Sequence, residues 1–219
     1  MRITLRGDMA MLEVKQITKE YKNGKGVFDC SFKAYENEVT GLIGNNGCGK
    51  TTTFRLVLGL IKPNFGLIEY QGVPLDRFPA KIKGYVPEER SLYRDCLVNE
   101  MIALMAHLNG VKRSEVNKLT DKWLDIFSIK PLKYRNLQSL SKGNQQLVQF
   151  ISAIIYQPKI LILDEPFTGL DVNNKSRLIE VIKEYKKEKI VLVSSHESEL
   201  IPSLCDQVIH FKEGRICRE

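Results

Sequence analysis

What the sequence lacks narrows its reading first. No apolar run approaches the roughly 18 to 20 residues that span a bilayer; stretches such as Ile160-Leu161-Ile162-Leu163 and Ile190-Val191-Leu192-Val193 are far shorter, so the chain does not cross a membrane by itself. The opening Met1-Arg2-Ile3-Thr4-Leu5-Arg6-Gly7-Asp8 is positively charged but has no apolar segment behind it, which argues against a secretory signal and for the cytoplasm. Methionines at 9 and 11 precede the first strand-like run, leaving residues 1–10 as an expected disordered leader. Cysteine is sparse and unordered: Cys30, Cys48, Cys96, Cys205 and Cys217 show no C-x-x-C spacing, which excludes a zinc site and a disulfide framework of recognisable kind. Eight prolines and 15 glycines make no low-complexity segment, and 43% hydrophobic with 27% charged residues excludes a disordered chain. At 219 residues, one domain with a subdomain is expected rather than two independent folds.

A formal charge of +7 would suit nucleic acid or an anionic lipid surface. Much of it is interleaved, however: Lys183, Lys186, Lys187 and Lys189 alternate with Glu180, Glu184 and Glu188, the pattern of a solvated helix face.

Short extended patterns at Leu12 to Val14 and Val27 to Phe32 flank Lys22-Asn23-Gly24-Lys25-Gly26, a hairpin turn by composition. Val39-Thr40-Gly41-Leu42-Ile43 reads as a buried strand that runs straight into a glycine-rich loop. Helical spacing follows from Thr51 to Leu60 and stops at Lys62-Pro63. Between about 95 and 156 the period changes: Val98 to Leu108 and Ser114 to Phe127 repeat apolar residues at helical spacing, with no strand candidate between them. Two apolar runs, Ile160 to Leu163 and Ile190 to Val193, then enclose a helix expected from Lys175 to Lys187. Strands alternating with helices imply a parallel sheet covered on both faces.

Two motifs carry the chemistry. Gly44-Asn45-Asn46-Gly47-Cys48-Gly49-Lys50-Thr51 fits G-x-x-x-x-G-K-[ST] in the strand-loop-helix setting that gives this pattern its meaning. Glycines let successive backbone N–H groups face phosphate oxygens, the following helix N-terminus adds partial positive charge, and Lys50 can reach the outer phosphates. Thr51 can place its hydroxyl on Mg²⁺, and Thr52 completes the candidate nucleotide-binding set. Asp164-Glu165 follows directly on Ile160-Leu161-Ile162-Leu163, which lifts two carboxylates to the end of a buried strand. Because side chains alternate along a strand, the two acids can have different tasks: Asp164 holding the metal, Glu165 orienting or deprotonating the attacking water.

The segment Leu140-Ser141-Lys142-Gly143-Asn144-Gln145-Gln146 resembles the signature of ABC transporter ATPase subunits and precedes Asp164-Glu165 at that family's spacing. The resemblance covers nearly the whole chain. It implies the ABC ATPase form of the P-loop NTPase fold: an α/β, RecA-like parallel sheet core (about 11–88 and 157–219) with an N-terminal antiparallel β-subdomain and an inserted helical subdomain (about 89–156). It further implies that Tyr21 stacks on adenine, that Thr168-Gly169-Leu170-Asp171 is a loop at a dimer seam, and that His196 senses the γ-phosphate. Ser141 and the Gly143 backbone would contact ATP bound to the opposite subunit of a head-to-tail pair, formed with a second copy or a paralogue. ATP and Mg²⁺ are the implied ligands, and an integral membrane permease subunit is the implied partner. That partner would hold the chain on the inner face of the cell membrane.

The chain departs from the family pattern at several positions. Glu88 in Gly84-Tyr85-Val86-Pro87-Glu88 replaces the usual glutamine; it still offers an oxygen to Mg²⁺ or water but adds negative charge beside the phosphates. Lys142 replaces a common glycine and Asn144 a common glutamine. Cys48, beside Lys50 near a helix N-terminus, sits where a thiolate is favoured, so alkylation is expected to inactivate the enzyme and ATP to protect it; the alternative is a small residue tolerated for its backbone. The segment from Glu88 to Tyr93 would couple nucleotide state to the partner, with Leu92-Tyr93 either docking or packing inward. The Pro-Glu-Glu-Arg run and Lys142 resemble subunits of separately encoded exporters of the ABC-2 kind. A soluble ATPase acting on nucleic acid or the ribosome is the second reading, though a single phosphate loop and the absence of sustained heptads weigh against it, and no nucleic acid is expected as a partner. A regulatory module that binds ATP without turnover is the third, and Glu165 with His196 argues against it.

Overall fold

A computed structural model of the chain describes residues 10–89, 92–93, 95–196 and 200–217. The expected disorder of residues 1–9 and the Arg90 of the Pro-Glu-Glu-Arg run lie outside the described residues. Ala10, which the sequence groups with the leader, is tied to the fold: its carbonyl accepts from the Glu36 N–H at 2.9 Å.

The first two strands, β1 (Met11–Glu20) and β2 (Gly26–Tyr35), pair antiparallel with Met11 opposite Tyr35. Their turn is closed by Tyr21 N–H donating to the Lys25 carbonyl at 2.8 Å and by Gly24 N–H donating to the Tyr21 carbonyl at 2.9 Å. Strand β1 outruns its sequence signal because it changes phase midway. Gln16 adopts φ 48° at a register shift between Val14 and Ile17, and this bulge turns Ile17 rather than Gln16 toward the core behind Leu12 and Val14.

Along the chain then come β3 (Val39–Ile43), α1 (Lys50–Leu58), β4 (Phe65–Tyr70), β5 (Val73–Pro74) and β6 (Lys83–Val86). Three helices follow, α2 (Val98–Leu108), α3 (Arg113–Ile126) and α4 (Lys142–Ile154). The chain continues through β7 (Ile160–Asp164), α5 (Val172–Tyr185), β8 (Ile190–Ser195), α6 (Ile201–Leu204), β9 (Gln207–Lys212) and β10 (Arg215–Cys217). Helix α1 differs from its expected span: it begins at Lys50 and ends where Gly59, at φ 76°, supplies a left-handed cap, four residues before Pro63. Helix α5 likewise starts earlier than Lys175, because the Asp171 carboxylate caps it by accepting from the Asn174 N–H at 2.9 Å.

The strands form two sheets. One is antiparallel, in the order β2-β1-β4-β5; the other runs β10-β9-β3-β8-β7-β6, parallel from β9 to β6 with β10 antiparallel on its edge. The strand period of two sorts the second sheet's side chains onto two cores. Leu161, Leu163, Val191 and Val193 face a cluster shared with α2, α3, α4 and α5, which includes Ile102, Leu124 and Phe150. Ile160, Ile162, Ile190 and Leu192 face the opposite cluster, with Leu42, Phe54 and the inward residues of β1 and β2. Strands buried on both faces explain the uninterrupted apolar runs.

This topology sets the site. In an open parallel sheet, ligands sit beyond the carboxyl ends of the strands where the strand order reverses. Here β3 lies between β9 and β8, and the residues that leave β3, β6, β7 and β8 are Gly44, Pro87-Glu88, Glu165 and His196. Among the described residues no helix is long and apolar enough to cross a membrane.

Candidate active site

The loop after β3 is shaped by what a side chain would meet. Gly44 stands at φ 151°, and a Cβ there would lie 2.2 Å from the Phe211 carbonyl oxygen; Gly49, at φ 114°, caps α1 where a Cβ would lie 2.7 Å from Val27 Cγ1. The loop therefore closes down on the sheet only with glycine at both places. Helix α1 starts without a side-chain cap and without an acid in its first turn, which leaves its amino end open to an anion. Lys50, 6% exposed, curls back so that its ammonium donates to the carbonyls of Gly44 at 2.7 Å and Asn45 at 3.3 Å. Its remaining neighbour is the Cys48 sulfur at 4.0 Å, a weak acceptor that a phosphate oxygen can displace.

The acids sit opposite. Asp164 is fully buried and Glu165 6% exposed, and each has one carboxylate oxygen occupied and one without a partner. Asp164 Oδ1 accepts from the Ser194 hydroxyl at 2.6 Å, and Glu165 Oε2 accepts from His196 Nδ1 at 2.8 Å and from the His196 N–H at 3.3 Å. Among the described residues, Asp164 Oδ2 and Glu165 Oε1 find no hydrogen-bond partner. A buried carboxylate oxygen without a donor is costly, so this pair fits a site that receives a cation and a water. The residues Asn46, Gly47, Gly49, Lys50, Thr51, Thr52, Glu88, Asp164 and Glu165 line one cavity of about 240 Å³. Behind it on β6, burial and then the Asp164 charge push the Tyr85 phenol up to about 12.

His196 borders an adjoining cavity of about 350 Å³ with Ile43, Gly44, Asn45, Asn46 and Ser195. Tyr21, Ser141 and Gly143 line neither cavity. Tyr21 stands partly exposed at the β1–β2 turn; Ser141 is exposed at the start of α4, its hydroxyl accepting from the Asn144 N–H at 3.2 Å. Gly143 packs so closely on the loop before α5 that a Cβ would lie 2.8 Å from the Gly169 carbonyl oxygen.

Cys48 shares features of both its readings, with its sulfur 4.0 Å from the Lys50 ammonium yet only 5% of the residue exposed. Its thiol is buried in the core with Val27, Phe54 and Phe211 and lines neither cavity, and its backbone is engaged in the loop: its N–H donates to the Asn45 carbonyl at 3.2 Å and its carbonyl accepts from the Gly214 N–H at 3.0 Å. Leu92-Tyr93 divides between its two alternatives, Leu92 packing against the core and Tyr93 standing 67% exposed. Two polar residues escaped the sequence reading. Ser194 touches both acids, and its only signal is a buried apolar strand that ends in two serines before His196. Gln149, deep in α4, donates to the Pro87 carbonyl at 2.8 Å and so ties that helix to the residue before Glu88.

A family model described as ABC transporter matches residues 27–168, spanning the phosphate loop, the α4 segment and the acid pair. The chain belongs to the ABC transporter ATP-binding family. An ABC transporter ATP-binding protein of Methanocaldococcus jannaschii, MJ1023, is 44% identical over 205 residues, 93% of this chain and 75% of that protein. Among solved structures, an ATP-binding subunit of an ABC transporter superposes with a TM-score of 0.87 at 30% identity, covering 94% of this chain and 88% of that one. CbiO1 of Clostridium perfringens, part of the ABC transporter complex CbiONQ, does so with a TM-score of 0.82 at 27% identity, covering 94% and 86%. Other relatives include ATP-binding proteins named for export and for import. As a member of this family the chain is an ATP-binding subunit whose reaction is ATP hydrolysis.

Proposed function

We propose that this chain is the motor of a membrane exporter, hydrolysing ATP with Mg²⁺ at the interface of a head-to-tail pair and driving a separate permease subunit from the inner face of the membrane. The observation that carries the reading is the separation of two parts on one chain: a phosphate cavity with its acids, and a helix start, exposed at Ser141 and Lys142, that lies outside that cavity. Such halves complement each other when two chains meet head to tail, the α4 start of one facing the phosphates held by the other.

In that arrangement Lys50 exchanges its weak sulfur neighbour for a phosphate oxygen, and the open amino end of α1 receives phosphate charge. Thr51 and Asp164, which line the same cavity as Glu88, would hold Mg²⁺, whose charge would help neutralise the phosphates. Glu165, fixed through one oxygen by His196, presents its free oxygen to the attacking water. His196 would register the γ-phosphate from the adjoining cavity that it lines. Tyr21 would receive the adenine.

Tyr93, exposed beyond the Glu88 strand end, offers an aromatic contact to the permease. Export rests on the likeness of the Pro87-Glu88-Glu89-Arg90 run and Lys142 to ABC-2 subunits. The deciding experiment is purification of the tagged chain from native membranes in mild detergent. A stoichiometric partner with several membrane spans is the expected result; recovery only from the soluble fraction, alone or with ribosomes or nucleic acid, would overturn the transporter assignment and leave the ATPase standing.

A further inference from the structure

We propose that Ser194 is a positioning residue for hydrolysis, whose single hydroxyl clamps the Asp164 carboxylate and the Glu165 backbone together so that the free oxygen of each acid faces the nucleotide cavity. The inference rests on the reading of the site given above and adds a residue to it.

The clamp follows from strand register. In the parallel β7–β8 ladder Asp164 is the partner of Ser194, and both continue the phase of Ile160, Ile162, Ile190 and Leu192, so their side chains emerge on the same face. Ser194 is fully buried. Its proton is assigned by its neighbours: the Glu165 N–H, at 2.9 Å, can only donate, and the Asp164 carboxylate, at 2.6 Å, can only accept. The hydroxyl is thus acceptor to one residue and donor to the other, and neither bond can be exchanged with water at a fully buried position.

Two consequences reach the cavity. Holding Oδ1 stops the Asp164 carboxylate from turning about its last torsion, leaving Oδ2 as its buried oxygen without a hydrogen-bond partner among the described residues. Glu165 adopts φ 50°, a left-handed conformation that is unfavourable for a non-glycine residue. The bond from its N–H to Ser194 helps hold that turn, and the turn aims its side chain at His196 and the cavity. A serine that only filled space in the strand would not select these two groups.

The test compares full-length Ser194→Ala and Ser194→Thr with the unmodified chain. The readouts are steady-state hydrolysis and the Mn²⁺ affinity of the complex with a non-hydrolysable ATP analogue, followed by electron paramagnetic resonance. Losing hydrogen bonds to a charged group and to a strained backbone predicts a kcat about 10- to 100-fold lower in Ser194→Ala, with the KM for ATP changed less than about twofold. Mn²⁺ binding is expected to weaken about fivefold, and Ser194→Thr, which keeps the hydroxyl on a β-branched residue suited to a strand, should restore both. Unchanged kcat in Ser194→Ala overturns the proposal, as does a lower kcat with unchanged Mn²⁺ affinity, which would mark general loosening of the strand. Hydrolysis by the unmodified chain that is lost in Lys50→Ala is the separate control on which the site reading itself depends.

Discussion

Glu165 and His196 share one oxygen. The histidine's main-chain N–H and its ring Nδ1 both donate to Glu165 Oε2, at 3.3 and 2.8 Å, while Oε1 stays free beside the phosphate cavity. Since an ionised carboxylate only accepts, Nδ1 carries the proton, and Nε2 of a neutral ring is left as an acceptor. The acid is thereby held by a residue that belongs to the next strand end, so anything that moves His196 also moves Glu165. Under the proposed mechanism this one hydrogen-bonded pair would join sensing to water orientation.

Glu165→Gln tests the role of the free oxygen. The amide keeps the shape and can still accept from His196, but it is no base, so hydrolysis should fall about 10²- to 10⁴-fold while ATP binding persists. The ATP-bound variant should accumulate as a dimer in light scattering. Normal turnover as a monomer would remove Glu165 from the chemistry.

The parts of this site that sequence made legible are those carried by neighbours in the chain. Gly44 to Thr51 could be read because strand, loop and helix are contiguous, and Asp164-Glu165 because four apolar residues deliver them to a strand end. Helices α2 and α3 announced themselves by apolar spacing. What stayed hidden depended on partners far away in sequence. Strand β4 exposes its first three residues and so has no apolar alternation, and β6 is four residues containing Lys83 and Gly84. The bulge at Gln16 breaks the period that would have lengthened β1. Ser194 acquires its partners only through the β7–β8 register, and the buried Cys48 belongs to a cluster whose members Val27 and Phe211 are remote in sequence.

Gly143→Ala probes the α4 start without touching the phosphate cavity. Its new methyl would press on the Gly169 carbonyl, a backbone atom at 2.8 Å that cannot swing aside. Overpacking of this kind costs about 1–3 kcal/mol, which should lower the melting temperature measurably. Under the head-to-tail reading, hydrolysis should fall more than ATP binding. Equal ATP binding and equal turnover would mean that the loop before α5 yields freely.

The five thiols should separate cleanly on alkylation. Cys48 and Cys30 are buried, and burial pushes the Cys30 thiol up and Cys205 up to about 12; Cys96, partly exposed, is also raised by burial. Cys217 is exposed on the edge strand β10. Because the thiolate is the nucleophile, iodoacetamide under native conditions should label Cys217 first, as read by peptide mass spectrometry, with ATPase activity retained. Rapid modification of Cys48 with loss of activity, prevented by ATP, would instead show that the phosphate loop opens enough to turn its thiol outward.

Glu88 is the residue in which charge and coordination pull in opposite directions. It is an exposed third carboxylate on a cavity that already holds Asp164 and Glu165, against a single lysine among the lining residues. If it acts through charge alone, Glu88→Gln removes repulsion from the phosphates, and an exposed charge at this range is worth about 0.2–1 kcal/mol. The KM for ATP should then fall about two- to fivefold at low Mg²⁺ and low salt, with the difference shrinking as salt screens it. If the carboxylate instead reaches the metal, the same variant should need more Mg²⁺ for half-maximal hydrolysis, an effect that salt does not erase. A Mg²⁺ titration of hydrolysis at two ionic strengths separates these cases. Charge alone is the expected result, because Glu88 stands exposed at the cavity whereas the unpartnered oxygens of Asp164 and Glu165 are buried at its base.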